Sequence, residues 1–174
     1  MPRDCAAEAS LNSLLERRPA PLSYLSGPAP SPLQLAQLQA SVAQRAAAAT
    51  LRLVECDAHL RAVLDIVLAR HALRGHHSPA HGHPSTSGRH APMLLALMAT
   101  IDYLSDVSPK EQAKQAGAAL TDLLIASHRL GYDTAVQAGP WCMDTTLRTE
   151  MGLAAREFPA AFVHVGHRQE AALR

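Results

Sequence analysis

The stretch Ser108-Pro109-Lys110-Glu111-Gln112-Ala113-Lys114-Gln115-Ala116-Gly117-Ala118-Ala119-Leu120-Thr121-Asp122-Leu123-Leu124-Ile125-Ala126-Ser127-His128-Arg129-Leu130-Gly131 decides the fold of this chain. Ser108 followed by Glu111 has the form of a capping box. Pro109 at the first helical position has no N–H to leave orphaned. Gly131 supplies a left-handed stop, so one helix is expected to run to Leu130. Its interior (Ala116, Gly117, Ala119, Leu120, Leu123, Leu124, Ile125) is apolar on several sides. Such a helix is buried all round or lies in a subunit interface.

Upstream, Met93 to Ile101 is an apolar run bounded by Pro92 and Asp102, the pattern of a buried central strand. Leu51-Arg52-Leu53-Val54 alternates and reads as a strand. Asp57 caps a helix whose apolar face is Leu60, Val63, Leu64, Val67 and Leu68. Further back, Ser31-Pro32 opens a helix carrying Leu35, Leu38 and Val42 through an Ala-rich tail ending near Ala49. Ala6 to Arg18 reads as another helix, and Pro19, Pro21, Pro28 and Pro30 separate the two with extended chain. Downstream, Gly131 to Gly139 is turn with a short extended piece. Asp144 caps a helix over Thr145 to Met151, stopped by Gly152, and Pro159 to Gly166 is the last strand. The order α-α-β-α-β-α-(β)-α-β has too few strands for a doubly wound sheet and predicts one α+β domain over residues 1–174.

Sixteen Lys and Arg balance fifteen Asp and Glu, without a long run of either sign. A nucleic-acid partner is therefore not expected. One Trp, three Tyr and two Phe are too few for base-stacking platforms. Three scattered cysteines (Cys5, Cys56, Cys142) read as reduced thiols. The opening residues lack the apolar core of a signal peptide, and the longest apolar stretch is too short to span a bilayer. These features predict a soluble cytoplasmic protein that does not enter a membrane.

Two stretches resemble the nitroreductase family, especially its short NAD(P)H-nitroreductase branch. The first is Leu11 to Arg18, followed by Pro28-Ala29-Pro30-Ser31 and the helix from Pro32. The second is Gln115 to Gly131, followed at similar distances by Gly139, Met151-Gly152-Leu153 and Phe162-Val163-His164-Val165-Gly166. Together they cover roughly two thirds of the chain, and order and spacing carry the likeness more than any single piece. The resemblance implies a nitroreductase-like fold, a mostly antiparallel central sheet flanked by helices. It also implies a homodimer with FMN held between subunits, NAD(P)H as electron donor, and a nitroaromatic, quinone or similar small-molecule acceptor. The cofactor carries that chemistry, so no catalytic side chain is expected.

The same resemblance places Arg17, Arg18 and Pro19 at the flavin from the first helix. Guanidinium is a permanent, planar donor for phosphate and carbonyl oxygens. Pro19 stands where relatives carry Ser or Thr, which removes one hydroxyl donor. Val136, Gln137, Ala138 and Gly139 fall on the loop that lines the flavin ring, in place of a Trp-Arg-Ser sequence. Arg168 is placed to meet the phosphate. Gln44 to Thr50 replaces a longer Pro-Trp-containing loop that folds over the flavin in relatives. The alternative is a nitroreductase-fold protein without flavin, acting as a binding or interaction module.

Ten histidines are many for this length. His76, His77, His81 and His83 crowd the polar loop over residues 75–90, with His90 at its end. Such a tract can take Zn, Ni, Cu or haem, but its spacing matches no defined metal site, and a flexible polar loop is the reading adopted. His164 is expected to be a packed or interfacial side chain rather than a base. Trp141 and Met143 are expected to cover one end of the core beside Cys142.

Overall fold

The computed structural model describes residues 25–44, 50–73 and 91–168. The expected first helix with Arg17, Arg18 and Pro19, and the His-rich loop, lie outside the described residues. In chain order the elements are β1 (Leu25–Ser26), α1 (Pro32–Ala43), β2 (Thr50–Glu55), α2 (Ala58–Leu73), β3 (Met93–Thr100), α3 (Pro109–Arg129), β4 (Asp133–Gln137), a 3-10 turn (Pro140–Met143), α4 (Thr145–Glu150) and β5 (Glu157–Arg168).

Among the described residues the sheet has five strands, all paired antiparallel. β3 lies between β2 and β5, β4 also pairs with β5, and β1 joins at β5's C-terminal end. β3 is buried on both faces, as its apolar run predicts. Met93, Leu95, Leu97 and Ala99 join Leu38 and Val42 of α1 and Ala116, Ala119 and Leu123 of α3 in one core. Leu94, Ala96 and Met98 join Val63, Leu64, Val67 and Leu68 of α2, Leu147 of α4 and Phe162 of β5 in the other. Side chains alternate across a strand, so one eight-residue run fills both layers.

β5 extends beyond the expected last strand at both ends. Leu97 pairs with Ala161 and Met98 with Pro159, so Ala160 is an extra residue on β5. A bulge of this kind tolerates Pro159, which cannot donate to the ladder. α1 runs to Ala43 with Gln44 as its C-cap, and the Ala-rich tail expected to extend it lies outside the described residues. Ser31 caps α1 with a full capping box: its N–H donates to Gln34 Oε1 at 2.8 Å and its Oγ accepts from the Gln34 N–H at 3.4 Å.

In α3 only half of the expected box forms. Ser108 Oγ accepts from the Glu111 N–H at 3.3 Å, while the Glu111 carboxylate takes Lys114 at 2.9 Å. The helix buries one stripe (Gln112, Ala116, Ala119, Leu123, Ser127) rather than its whole circumference. Gly131, at φ +86°, ends it in the left-handed region. Gln112 is fully buried, and its carboxamide closes the turn after β3. Oε1 accepts from the Asp102 N–H at 2.8 Å, and Nε2 donates to the Asp102 carbonyl at 2.7 Å and the Val107 carbonyl at 2.8 Å. Replacing it by Leu strands these backbone groups. Gln112→Leu is expected to cost about 1–3 kcal/mol, read as a lower urea midpoint. An unchanged midpoint would show that water replaces the amide without loss.

Candidate functional site

The α3–β4 corner sets one end of the site. After Gly131, Tyr132 is buried, its hydroxyl donates to Gln34 Oε1 at 3.1 Å, and its ring lies 4.7 Å from that of His167. This links the start of α1 to the start of β4. β4 then runs antiparallel to β5, pairing Asp133 with Gly166 and Gln137 with Phe162. At this corner Arg168 is the last described residue of β5 and is exposed. Its backbone N–H donates to the Asp133 carboxylate at 3.1 Å.

The other end of β4 differs from expectation. Val136 and Gln137 are strand residues rather than loop residues. Pairing with β5 turns Val136 onto the core shared with α1 and α3, and Gln137 onto the opposite face, where it is buried. The lining expected of 136–139 is thus divided. Two side chains point inward, while exposed Ala138 and half-buried Gly139 leave their backbone near the surface. A Cβ on Gly139 would lie 2.7 Å from the Trp141 indole nitrogen, so glycine allows Trp141 to fold back on the segment. Trp141 in turn sits 5.6 Å from the Phe162 ring and covers the core end as expected, whereas Met143 is exposed. Cys142 is buried, which pushes its thiol up to about 11, and burial takes Cys56 to about 12. Neither offers a thiolate nucleophile at neutral pH.

Arg168 and the Ala138–Gly139 segment therefore lie at opposite ends of one ladder. Asp133 and Gln137 are four residue steps apart, roughly 13 Å at ~3.3 Å per residue. A cationic anchor at one end and accessible backbone at the other suit an elongated ligand with an anionic tail. The residues present fit such a group: Arg168 would meet the anion, and the 138–139 backbone would meet the far end.

Beneath this ladder is a pair that sequence reasoning missed. His164 is fully buried, with Nε2 2.9 Å from Gln137 Oε1 and Nδ1 without a hydrogen-bond partner. Burial, with the nearby Arg61 charge, pushes the imidazole down to about 3, so the ring is neutral at physiological pH. Arg61 itself donates to the carbonyls of Cys56, Ala91 and Pro92 at 3.3, 2.7 and 3.3 Å. His164 is thus packed, as its place in an apolar strand suggested. Its partner became visible only with the β4–β5 register.

Asp144 forms a second polar centre. Its carboxylate accepts from Arg70 Nη2 at 2.5 and 2.6 Å, lies 3.1 Å from His71 Nε2, and caps α4 through the Thr146 N–H at 2.9 Å. The sequence indicated the cap but not the ties to α2. Among the described residues no group of three or more His, Cys, Asp or Glu could hold a metal ion. No helix among them is long and apolar enough to cross a membrane.

An antiparallel sheet with helices on both faces, fed by one long capped helix and crossed by a C-terminal strand, defines the α+β sandwich of the nitroreductase fold. The chain belongs to the nitroreductase family, whose model matches residues 9–167. Three solved structures with this fold are similar to it. A nitroreductase family protein from Clostridium novyi NT is 14% identical, has a TM-score of 0.68, and is matched over 92% of this chain and 86% of that one. A nitroreductase with bound FMN from Bacteroides fragilis NCTC 9343 is 16% identical, with a TM-score of 0.63 over 95% and 91%. A variant of an FMN- and NADPH-dependent nitroreductase from Sphingopyxis sp. strain HMH is 15% identical, with a TM-score of 0.65 over 94% and 89%. No curated protein matches the chain in sequence.

Proposed function

We propose that this protein is an FMN-dependent oxidoreductase, a homodimer that passes electrons from NAD(P)H to a nitroaromatic, quinone or similar acceptor in the cytoplasm. The observation that carries the reading is the β4–β5 ladder, with exposed Arg168 at one end and the Ala138–Gly139 backbone at the other, inside a nitroreductase family chain. Relatives with this fold are described as binding FMN, and one as NADPH-dependent. When bound, FMN supplies the electron carriage. The protein's part is to anchor the phosphate, present hydrogen-bond donors to the ring edge and exclude water. Arg17 and Arg18 are proposed as further anchors, with Pro19 beside them.

The outer side of α3 supports the dimer. A Cβ on Gly117 would meet only open space, and a groove of about 570 Å³ runs between α1 and α3 past Gln37, Ser41, Asp122 and Ile125. A second copy would cover this surface. Cys56 and Cys142 are both free thiols, in keeping with a reducing compartment.

The test is a visible absorption spectrum of purified protein after incubation with excess FMN and desalting. Retained flavin bands near ~450 nm that bleach with NADH or NADPH are expected. A colourless, folded protein would remove the flavin reading and favour the module without flavin. Arg168→Ala should weaken FMN binding by about 10- to 100-fold, the worth of one charge-assisted hydrogen bond. Equal affinity in the two proteins would remove Arg168 from the site.

A further inference from the structure

Helix α2 is apolar on both of its long faces. Val63, Leu64, Val67 and Leu68 are buried against the sheet. On the opposite side Ala62, Ile66, Ala69 and Leu73 are exposed, Ile66 to 63% and Leu73 to 90%. Among the exposed residues of α2 the one polar side chain is His59, whose Nε2 lies 2.9 Å from the Glu150 carboxylate. By contrast, α3 exposes Lys110, Glu111, Lys114, Thr121 and Arg129. A helix that is apolar all round is ordinarily covered on every side, and a contiguous exposed apolar patch marks an interaction surface. The spacing says what kind of cover fits. Steps of four, three and four residues lead from Ala62 through Ile66 and Ala69 to Leu73. That is the a and d spacing of a helix paired with another helix. Ala62 and Ala69, one heptad apart, let two backbones come close.

We propose that α2 packs against α2 of a second copy as a parallel pair, with Ala62, Ile66, Ala69 and Leu73 as the seam. Charge selects this occupant and its direction. Asp65 and Arg70 flank the stripe on opposite sides, both half-buried. In a parallel pair their spacing brings Asp65 level with the partner's Arg70, and the two-fold axis repeats the contact. An antiparallel pair would set like flanks together, Asp65 on the side of the partner's Asp65. Residues 74–90, which follow α2 directly, hold no Leu, Ile, Val, Met, Phe, Tyr or Trp to cover the stripe. The 16 residues of α2 span about 24 Å at ~1.5 Å per residue. One helix face of that length falls short of the roughly 800 Å² per partner that a stable dimer buries. The contact therefore joins copies already paired elsewhere. α2 packs on one face of the sheet and α1 and α3 on the other, so both contacts can form at once and close a tetramer. That last step rests on the homodimer reading above.

The experiment is sedimentation equilibrium of the full-length protein at micromolar concentrations, comparing wild type with Ile66→Glu/Leu73→Glu and Ala69→Cys. Wild type should sediment as a tetramer and the double variant as a dimer. Association through α2 should weaken at least about 100-fold, the worth of two buried aliphatic side chains. Both positions are exposed in the single copy, so the double variant should keep its fold, read as an unchanged circular dichroism spectrum. Ala69→Cys should form a disulfide-linked dimer on mild oxidation, since the parallel register sets residue 69 against its own copy. A wild-type dimer that falls to monomer in the double variant would support the α2 pair and remove the α1–α3 surface as the dimer contact. Equal masses for wild type and the double variant would overturn the pair. A lower melting temperature of the double variant in that case would assign the cover of α2 to residues 1–24 of the same copy. Cross-linking of Ala69→Cys only when mixed with Ile66→Cys would overturn the parallel direction. The masses are read with or without flavin, so the flavin reading can fail without touching this one.

Discussion

Phe162→Ala is expected to cost about 3–5 kcal/mol, the range for removing a buried aromatic ring from a core that cannot close around the gap. Phe162 is 1% exposed and sits where three parts of the molecule meet. It pairs with Ala96 on one side and Gln137 on the other, and lies beneath Trp141. Native domains are held by only about 5–15 kcal/mol, so this one change should leave the protein marginally stable. The measurement is a urea unfolding midpoint with an unchanged slope. A loss below about 1 kcal/mol would mean that α2 and the turn over Trp141 collapse into the space.

Asp144→Ala should be next in size, at about 2–4 kcal/mol. Loss of the α4 cap contributes about 1 kcal/mol, and loss of the charged hydrogen bonds from Arg70 contributes the rest. Arg70 would be left with its already unpartnered, buried Nε. The pH dependence provides a sharper check. Burial by itself would raise the Asp144 carboxyl, but hydrogen bonds from Arg70, then His71 and the Thr146 N–H, outweigh it and hold the group at about 2, below its usual 3.8. A carboxyl depressed on folding stabilises the protein above the unfolded value and loses that contribution as pH falls through the folded one. Between about pH 4 and pH 2 wild type should therefore lose stability more steeply than Asp144→Asn. The difference between the two should vanish near pH 2. Glu157 is lowered too, first by its hydrogen bond from Arg52 at 2.5 Å. It is present in both proteins, so its share cancels. Parallel thermal melts across this window would show that Asp144 is not the linked group.

Much of the fold was legible in local chemistry. Ser31-Pro32 and Ser108-Pro109 marked helix starts to the residue, Gly131 marked a stop, and the run from Met93 announced a strand buried on both faces. Capping and burial act over a few neighbours, so a sequence displays them directly. The single α+β layer arrangement, and the family likeness in the order of its pieces, follow from the same signals.

What needed tertiary structure was everything set by pairing across the chain. Gln112 looks like an ordinary helix residue until the turn it clamps is folded beside it. Val136 and Gln137 look like loop residues until β5 offers them a ladder, and an alternating strand must then turn both side chains inward on opposite faces. Asp144 declares a helix cap in sequence, but its ties to Arg70 and His71 span more than seventy residues. The same holds for His164 and Gln137, twenty-seven residues apart and joined only by register. Local signals thus fixed the elements of this protein and their order. The polar contacts that shape the candidate site were decided by the tertiary fold, because a hydrogen bond depends on distance in space and not on distance along the chain.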